Sequence, residues 1–191
     1  RALQPRPWRS RPFPSPSAAP FLWILKGGGC VADRCELSPL GWRNIWELTL
    51  VSGTWPAEFE PRAGQDGGDK QTFVLGRERR LLVCARDSEP ISAEAFDVRL
   101  VDLSDQWRSL NVSGPSARAL LARGMEIDLS PAGLPVGAVR QTLCAGVPVI
   151  VHAKHEQAVE LLIPSSFAPW LAAWLVEALS IFLSATSEAR A

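Results

Sequence analysis

The sequence has no tyrosine, one methionine and only two histidines, and its 20 basic residues cancel its 20 acidic ones. A zero net charge removes the basic face that a nucleic-acid footprint needs, so no nucleic-acid partner is expected. Two histidines leave few groups that titrate near neutrality. No glycine-x-serine-x-glycine elbow, no phosphate loop with its lysine, and no nucleophile–base pair can be drawn. Phe21–Leu25 is too short an apolar run for a signal core or a membrane span. The four cysteines, Cys30, Cys35, Cys84 and Cys144, lack the spacing of a disulfide framework, which favours a reduced, cytoplasmic setting.

What is present begins with proline. Residues 1–20 hold Pro5, Pro7, Pro12, Pro14, Pro16 and Pro20 among arginines and serines, with no acid. Acid-poor composition is a transit-peptide feature, but these prolines break any amphipathic helix, so a disordered or polyproline-like segment is expected. Gly27–Ala32 fits glycine-x-glycine-x-x-alanine, with Glu47 near the position of a ribose-binding acid. Pro39 cuts the helix that this fingerprint needs, and no strand–helix alternation follows, so a glycine turn is the better reading. Cys30 and Cys35 have no further pair at metal-site spacing.

From Trp42 the pattern turns globular. Ile45–Val51 alternates as a strand, with Trp46, Leu48 and Leu50 toward the core. Thr54–Lys70 is a loop, and Thr72–Leu75 and Arg80–Ala85 form a hairpin around Gly76–Arg79. Cys84 is expected in or beside the core as a small hydrophobe. Asp87–Asp97 is polar, with a weak helical turn at Ser92.

The stretch Val101–Gly124 organises the rest: a strand at Val98–Leu103, a turn, a strand at Trp107–Val112, and a helix from Pro115 that Gly124 stops. This reads as a hairpin with a helix packed on it. Asp102 and Asp105 could do acid–base work or hold a cation, but turn chemistry suits Asp105 better. Asn111–Ser113 matches a glycosylation sequon, which has no meaning in a cytoplasmic chain. Pro131–Gly137 is a loop. Val139–Leu143 and Val147–His152 are strands hinged near Gly146, and Pro148 marks the second as an edge or bulged strand. A third strand, Ala158–Ile163, follows the Lys154–Gln157 turn. His152 and His155 fall at a strand end and turn, so they read as surface histidines rather than metal ligands. Phe167, Trp170, Leu171, Trp174, Leu175, Ala178, Leu179 and Phe182 recur at helical spacing, capped by Ser165 or Ser166, with Pro169 in the first turn. Burying two Trp and two Phe there is worth about 6–12 kcal/mol before entropy. The eight Trp serve either as core filler or as interface anchors.

The blocks VDLSDQWRSLNVSGPSARALLARG (Val101–Gly124), IDLSP (Ile127–Pro131), RQTLCAGVPVIV (Arg140–Val151), IPSSFAPWLAAWL (Ile163–Leu175) and, upstream, FVLGRERRLLV (Phe73–Val83) come in the order that resembles the gamma subunit of heterotetrameric sarcosine oxidase. The resemblance covers roughly residues 42–183. It implies an α+β fold: antiparallel sheets packed with helices in two lobes, as in the folate-binding aminomethyltransferases and the N-domain of the tRNA-modification GTPases. The expected division is an atypical or disordered segment 1–41, a small strand-rich lobe 42–97, an α+β lobe 98–183 and a tail 184–191. The family carries no assigned catalytic, cofactor-binding or metal residue in this subunit, so none is transferred. FAD, FMN, NAD, tetrahydrofolate and zinc are expected in larger flavin- and folate-binding partners and a second small subunit. The implied role is assembly of a cytoplasmic complex of sarcosine catabolism and one-carbon metabolism.

Overall fold

In a computed structural model, residues 35–61, 70–86, 88 and 97–188 are described, the last seven as helix backbone only. The triple glycine, Cys30, the proline-rich segment, most of Asp87–Asp97 including Ser92, and the far C-terminus lie outside them. The described elements are β1 (Glu36–Pro39), β2 (Arg43–Leu50), a 3-10 turn (Ala57–Phe59), β3 (Lys70–Val74), β4 (Arg79–Ala85), β5 (Val98–Asp102), β6 (Trp107–Ser113), α1 (Ala117–Leu121), β7 (Val139–Cys144), β8 (Val147–His155), β9 (Ala158–Pro164) and α2 (Ala168–Glu188).

The fold is α+β. Every described strand pairing is antiparallel. One sheet has four strands in the order β3-β4-β2-β5, and the other has five in the order β1-β6-β9-β8-β7. No parallel crossover is present among the described residues, which removes the crevice that a dinucleotide fold requires.

The two-residue period sets the layers. On β8 and β9, Val149, Val151, Ala153, Val159, Leu161 and Ile163 face a large core shared with Leu120, Leu121, Leu171 and Leu175 of the helices. The alternate residues Ile150 and Leu162 face the four-stranded sheet and pack with Ile45, Phe73, Leu81, Val83 and Leu103. Beyond that sheet, Leu48, Leu82, Cys84 and Val98 close against Phe59 and Trp55. The order is helices, five-stranded sheet, four-stranded sheet, loop. Both sheets are therefore covered on both faces. This corrects the one-sided reading of β2: Leu48 is buried on the expected face with Trp46 and Leu50 half-buried beside it, but Ile45 is buried on the other.

The organising stretch is not a hairpin. β5 pairs with β2, and β6 pairs with β1 and β9. The turn at Ser104–Gln106 instead passes the chain from one sheet to the other. Asp102 Oδ1 accepts from the Ser104 amide at 2.9 Å and from its hydroxyl at 2.6 Å, the local bonding expected of a turn carboxylate. The sheets also cut across the expected division at residues 41 and 97. β1, from the segment read as atypical, is an edge of the five-stranded sheet, and β5 closes the four-stranded one.

Two further expectations change. β8 lies between β7 and β9, so Pro148 is not on an edge strand. The two-residue turn at Ala145–Gly146, φ 49° and 82°, closes on Cys144 and Val147. The next pair, Leu143–Pro148, then points its backbone N atoms away from β7. On that outer side, pairing with β9 begins only at Ile150, so the missing N–H costs no ladder bond. The irregularity on β8 falls instead at Ala153–His155. Helix α2 continues to Glu188, through residues read as a tail.

Candidate functional site

Helix α2 begins at Ala168 with Pro169 in its first turn, where no N–H is needed. Ser165 does not supply the expected cap: its hydroxyl donates to the carbonyl of Asp105. The buried face is Ala168, Leu171, Ala172, Leu175, Ala178 and Leu179. Phe167 is 47% exposed, Trp170 52% and Ile181 51%, and Trp174 is partly buried against the core. The expected burial is thus corrected for Phe167 and Trp170: Ala168, Leu171, Ala172 and Leu175 take the fully buried positions, and the Phe182 side chain lies outside the described residues. Trp174, Glu177, Ala178 and Ile181 line a cleft of about 250 Å³ with Arg123 from the end of α1.

That flank sets large aromatic and aliphatic side chains beside two charged ones, Arg123 and Glu177. A loop elsewhere in the same lobe is anchored by α1. Arg118 on α1 donates to the carbonyls of Leu129 at 2.6 Å, Leu134 at 2.8 Å and Glu156 at 2.9 Å. Asp128 opens the loop. The Ser130 amide, and then its hydroxyl, hold the Asp128 carboxyl below its ordinary range.

A second polar cluster lies at the seam between the sheets. Arg43 Nη1 of β2 meets Glu160 Oε1 of β9 at 2.7 Å, with the Glu160 side chain fully buried. His152 Nδ1 stands 3.7 Å from Glu160 Oε2. The imidazole leans on Phe73, ring centroids 4.8 Å apart. His152 is 3% exposed, which corrects its reading as a surface histidine. The strand runs three residues further than expected, so His152 falls inside it on the seam face. Glu160 attracted no attention in the sequence. Its signal was a single carboxylate inside Val159–Ile163, where a charge can be buried only beside a partner.

The remaining candidates stay apart. Glu47 is a strand residue whose carboxylate accepts from Arg79 at 2.7 Å. The Asp105 carbonyl accepts from Arg108 at 3.3 Å. Asn111 is a half-buried ladder residue opposite Ser38 and Glu160. Cys35, Cys84 and Cys144 are buried free thiols. Burial pushes Cys35 and Cys144 up to about 11, and raises Cys84 against the opposing charge of Lys70. Among the described residues no three of His, Cys, Asp and Glu are placed to share a metal ion, and no helix is long and apolar enough to cross a membrane.

The chain matches the GCVT N-terminal domain over residues 76–182 and belongs to that family. Within it, the likeness is to sarcosine oxidase gamma subunits, as the ordered sequence blocks indicated. The subunit gamma of Corynebacterium sp. (strain P-1) is 33% identical over 86 residues, covering 45% of this chain and 42% of the relative. That of Arthrobacter sp. is 31% identical over 140 residues, covering 73% and 61%. The chain thus spans about half the length of these curated relatives. A solved heterotetrameric sarcosine oxidase from Corynebacterium sp. U-96, in complex with pyrrole 2-carboxylate, shares the fold: TM-score 0.71 at 23% identity, over 86% of this chain and 94% of that one.

Proposed function

We propose that this chain is a non-catalytic gamma-type subunit of a sarcosine oxidase-like complex, and that it works by docking to larger subunits. The complex oxidatively demethylates an N-methyl amine: flavin takes a hydride equivalent, oxygen is reduced to peroxide, and the one-carbon unit passes to tetrahydrofolate. The flavins, NAD, folate and zinc belong in this reading to the partners, and the assembly to the cytoplasm. The observation that carries it is the outward side of α2 and its entry, where Phe167, Trp170 and Ile181 are about half exposed while Ala168, Leu171, Ala172, Leu175 and Leu179 are buried. Large apolar side chains grouped on one face mark a binding surface. The gamma-subunit likeness supplies the kind of partner.

Tagged full-length chain, recovered from its native cells, should bring down larger chains with a flavin absorption spectrum. Trp170→Ala should weaken that recovery at least tenfold while leaving stability within about 0.5 kcal/mol. Purified chain that demethylates an N-methyl amine unaided would refute the assignment. A stand-alone folate-binding or one-carbon transfer protein is the second reading, favoured by the family match over residues 76–182. Saturable tetrahydrofolate binding in calorimetry would establish it. A subunit of a related dehydrogenase, for N-methylglutamate as an example, is told apart by assaying the assembled complex.

A further inference from the structure

Trp170, Trp174, Glu177 and Ile181 recur along α2 at steps of four, three and four residues. That spacing sets them in one line on the helix surface, about 17 Å from first to last. Trp170, Glu177 and Ile181 are exposed and Trp174 is half-buried, so the line lies away from the face that Leu171 and Leu175 bury. Four-three steps are the spacing by which one helix meshes with another, whereas a strand is read at two-residue steps. Arg123 lines the same cleft as Glu177, and its neighbour Gly124 abuts the Trp174 ring. A surface with an aromatic line, one cation and one anion is its own complement. Against a like surface turned through a half-turn, each Glu177 comes opposite the other's Trp174, with the other's Arg123 alongside.

A like surface exists outside the gamma subunits. The sarcosine oxidase subunit alpha of Rhizobium meliloti (strain 1021) is 31% identical to this chain over 111 residues, covering 56% of this chain and 11% of that one. A much longer chain thus holds within it a stretch like this one. The family match of this chain, residues 76–182, is of similar length and includes α1 and the whole line on α2. We propose that the outward line of α2 packs against the corresponding helix of a domain of this same fold inside the larger partner subunit, the two related by a pseudo-twofold axis between Trp174 and Glu177. This rests on the subunit reading above and names the partner's surface. The helices then run antiparallel, aromatic line on aromatic line, and the charges pair across the axis.

The test uses the full chain in its native cells, with the photo-reactive residue p-benzoylphenylalanine placed at position 173 or, in a second variant, at position 180. Both positions are exposed and flank the line without replacing a member of it. Irradiation of the recovered complex and peptide mass analysis should join both positions to one helix in the part of the larger subunit that aligns with residues 76–182. The link from 173 should fall nearer that helix's C-terminal end and the link from 180 nearer its N-terminal end, the antiparallel order of a twofold. Glu177→Arg sets cation against cation and should lower recovery of the larger subunit about fivefold, with the urea midpoint unchanged because the residue is exposed. Links elsewhere on the larger subunit, links to a second copy of this chain, or undiminished recovery with Glu177→Arg overturn the pseudo-twofold contact and leave the subunit reading standing. Recovery of no larger flavin-bearing chain overturns both.

Discussion

Replacing Gly124 by Ala puts a methyl group 2.5 Å from Cη2 and 2.9 Å from Cζ3 of Trp174, and 3.3 Å from the backbone N of Ala145. Carbon atoms do not share such distances, so something must move. The backbone cannot yield easily. The Ala145 amide donates to the Gly124 carbonyl at 2.7 Å, and Met125 bridges to Cys144. The indole must give way, and it is packed against the main core on α2. Overpacking of this kind costs about 1–3 kcal/mol, against about 0.4–1 kcal/mol gained by restricting the unfolded chain. The net is about 1–2 kcal/mol of destabilisation, or roughly 2–8 °C in Tm for a chain of this size. Circular dichroism melts measure the loss, and Trp fluorescence reports the displaced ring. Trp174→Leu removes both clashing atoms, so adding Gly124→Ala to it should cost little. A single variant as stable as wild type, or a penalty that persists in the Trp174→Leu background, would refute the packing argument.

Leu171→Ala should cost about 2–5 kcal/mol, because its side chain is fully buried where α2 meets the five-stranded sheet; chemical denaturation reads this directly. Arg118→Met removes three hydrogen bonds to carbonyls and should destabilise by about 2–4 kcal/mol, with amide exchange rising first around Leu129–Leu134. Cys35 and Cys144 ionise near 9 when unfolded and near 11 when folded. Their contribution is full below pH 9 and is lost as the pH rises through 11, so the urea midpoint should fall across that window. Replacing both by Ala should flatten that fall, and thiol labelling at pH 8 should stay slow until denaturant is added.

Strand positions were legible because alternation is a local property. β4, β6, β7 and β9 lie close to their expected bounds, but the turn carboxylate is Asp102 rather than the expected Asp105. What those residues could not convey was pairing. The same strand–turn–strand pattern serves a hairpin or a crossing between two sheets, and only the competition for partners along β2 and β9 decides. Helix α2 shows a similar limit. Its apolar stripe is wide enough to be turned either way, and only the folded chain shows Ala168, Leu171 and Ala172 inside and Trp170 outside.

By itself the amino-acid order determined most element types and the family, through blocks whose order survives even where identity is near one third. Tertiary structure decided which face of each element is inside, and so brought Arg43, His152 and Glu160 together from three strands. Periodicity is written along a few neighbouring residues, whereas burial depends on what another part of the chain brings to the other side.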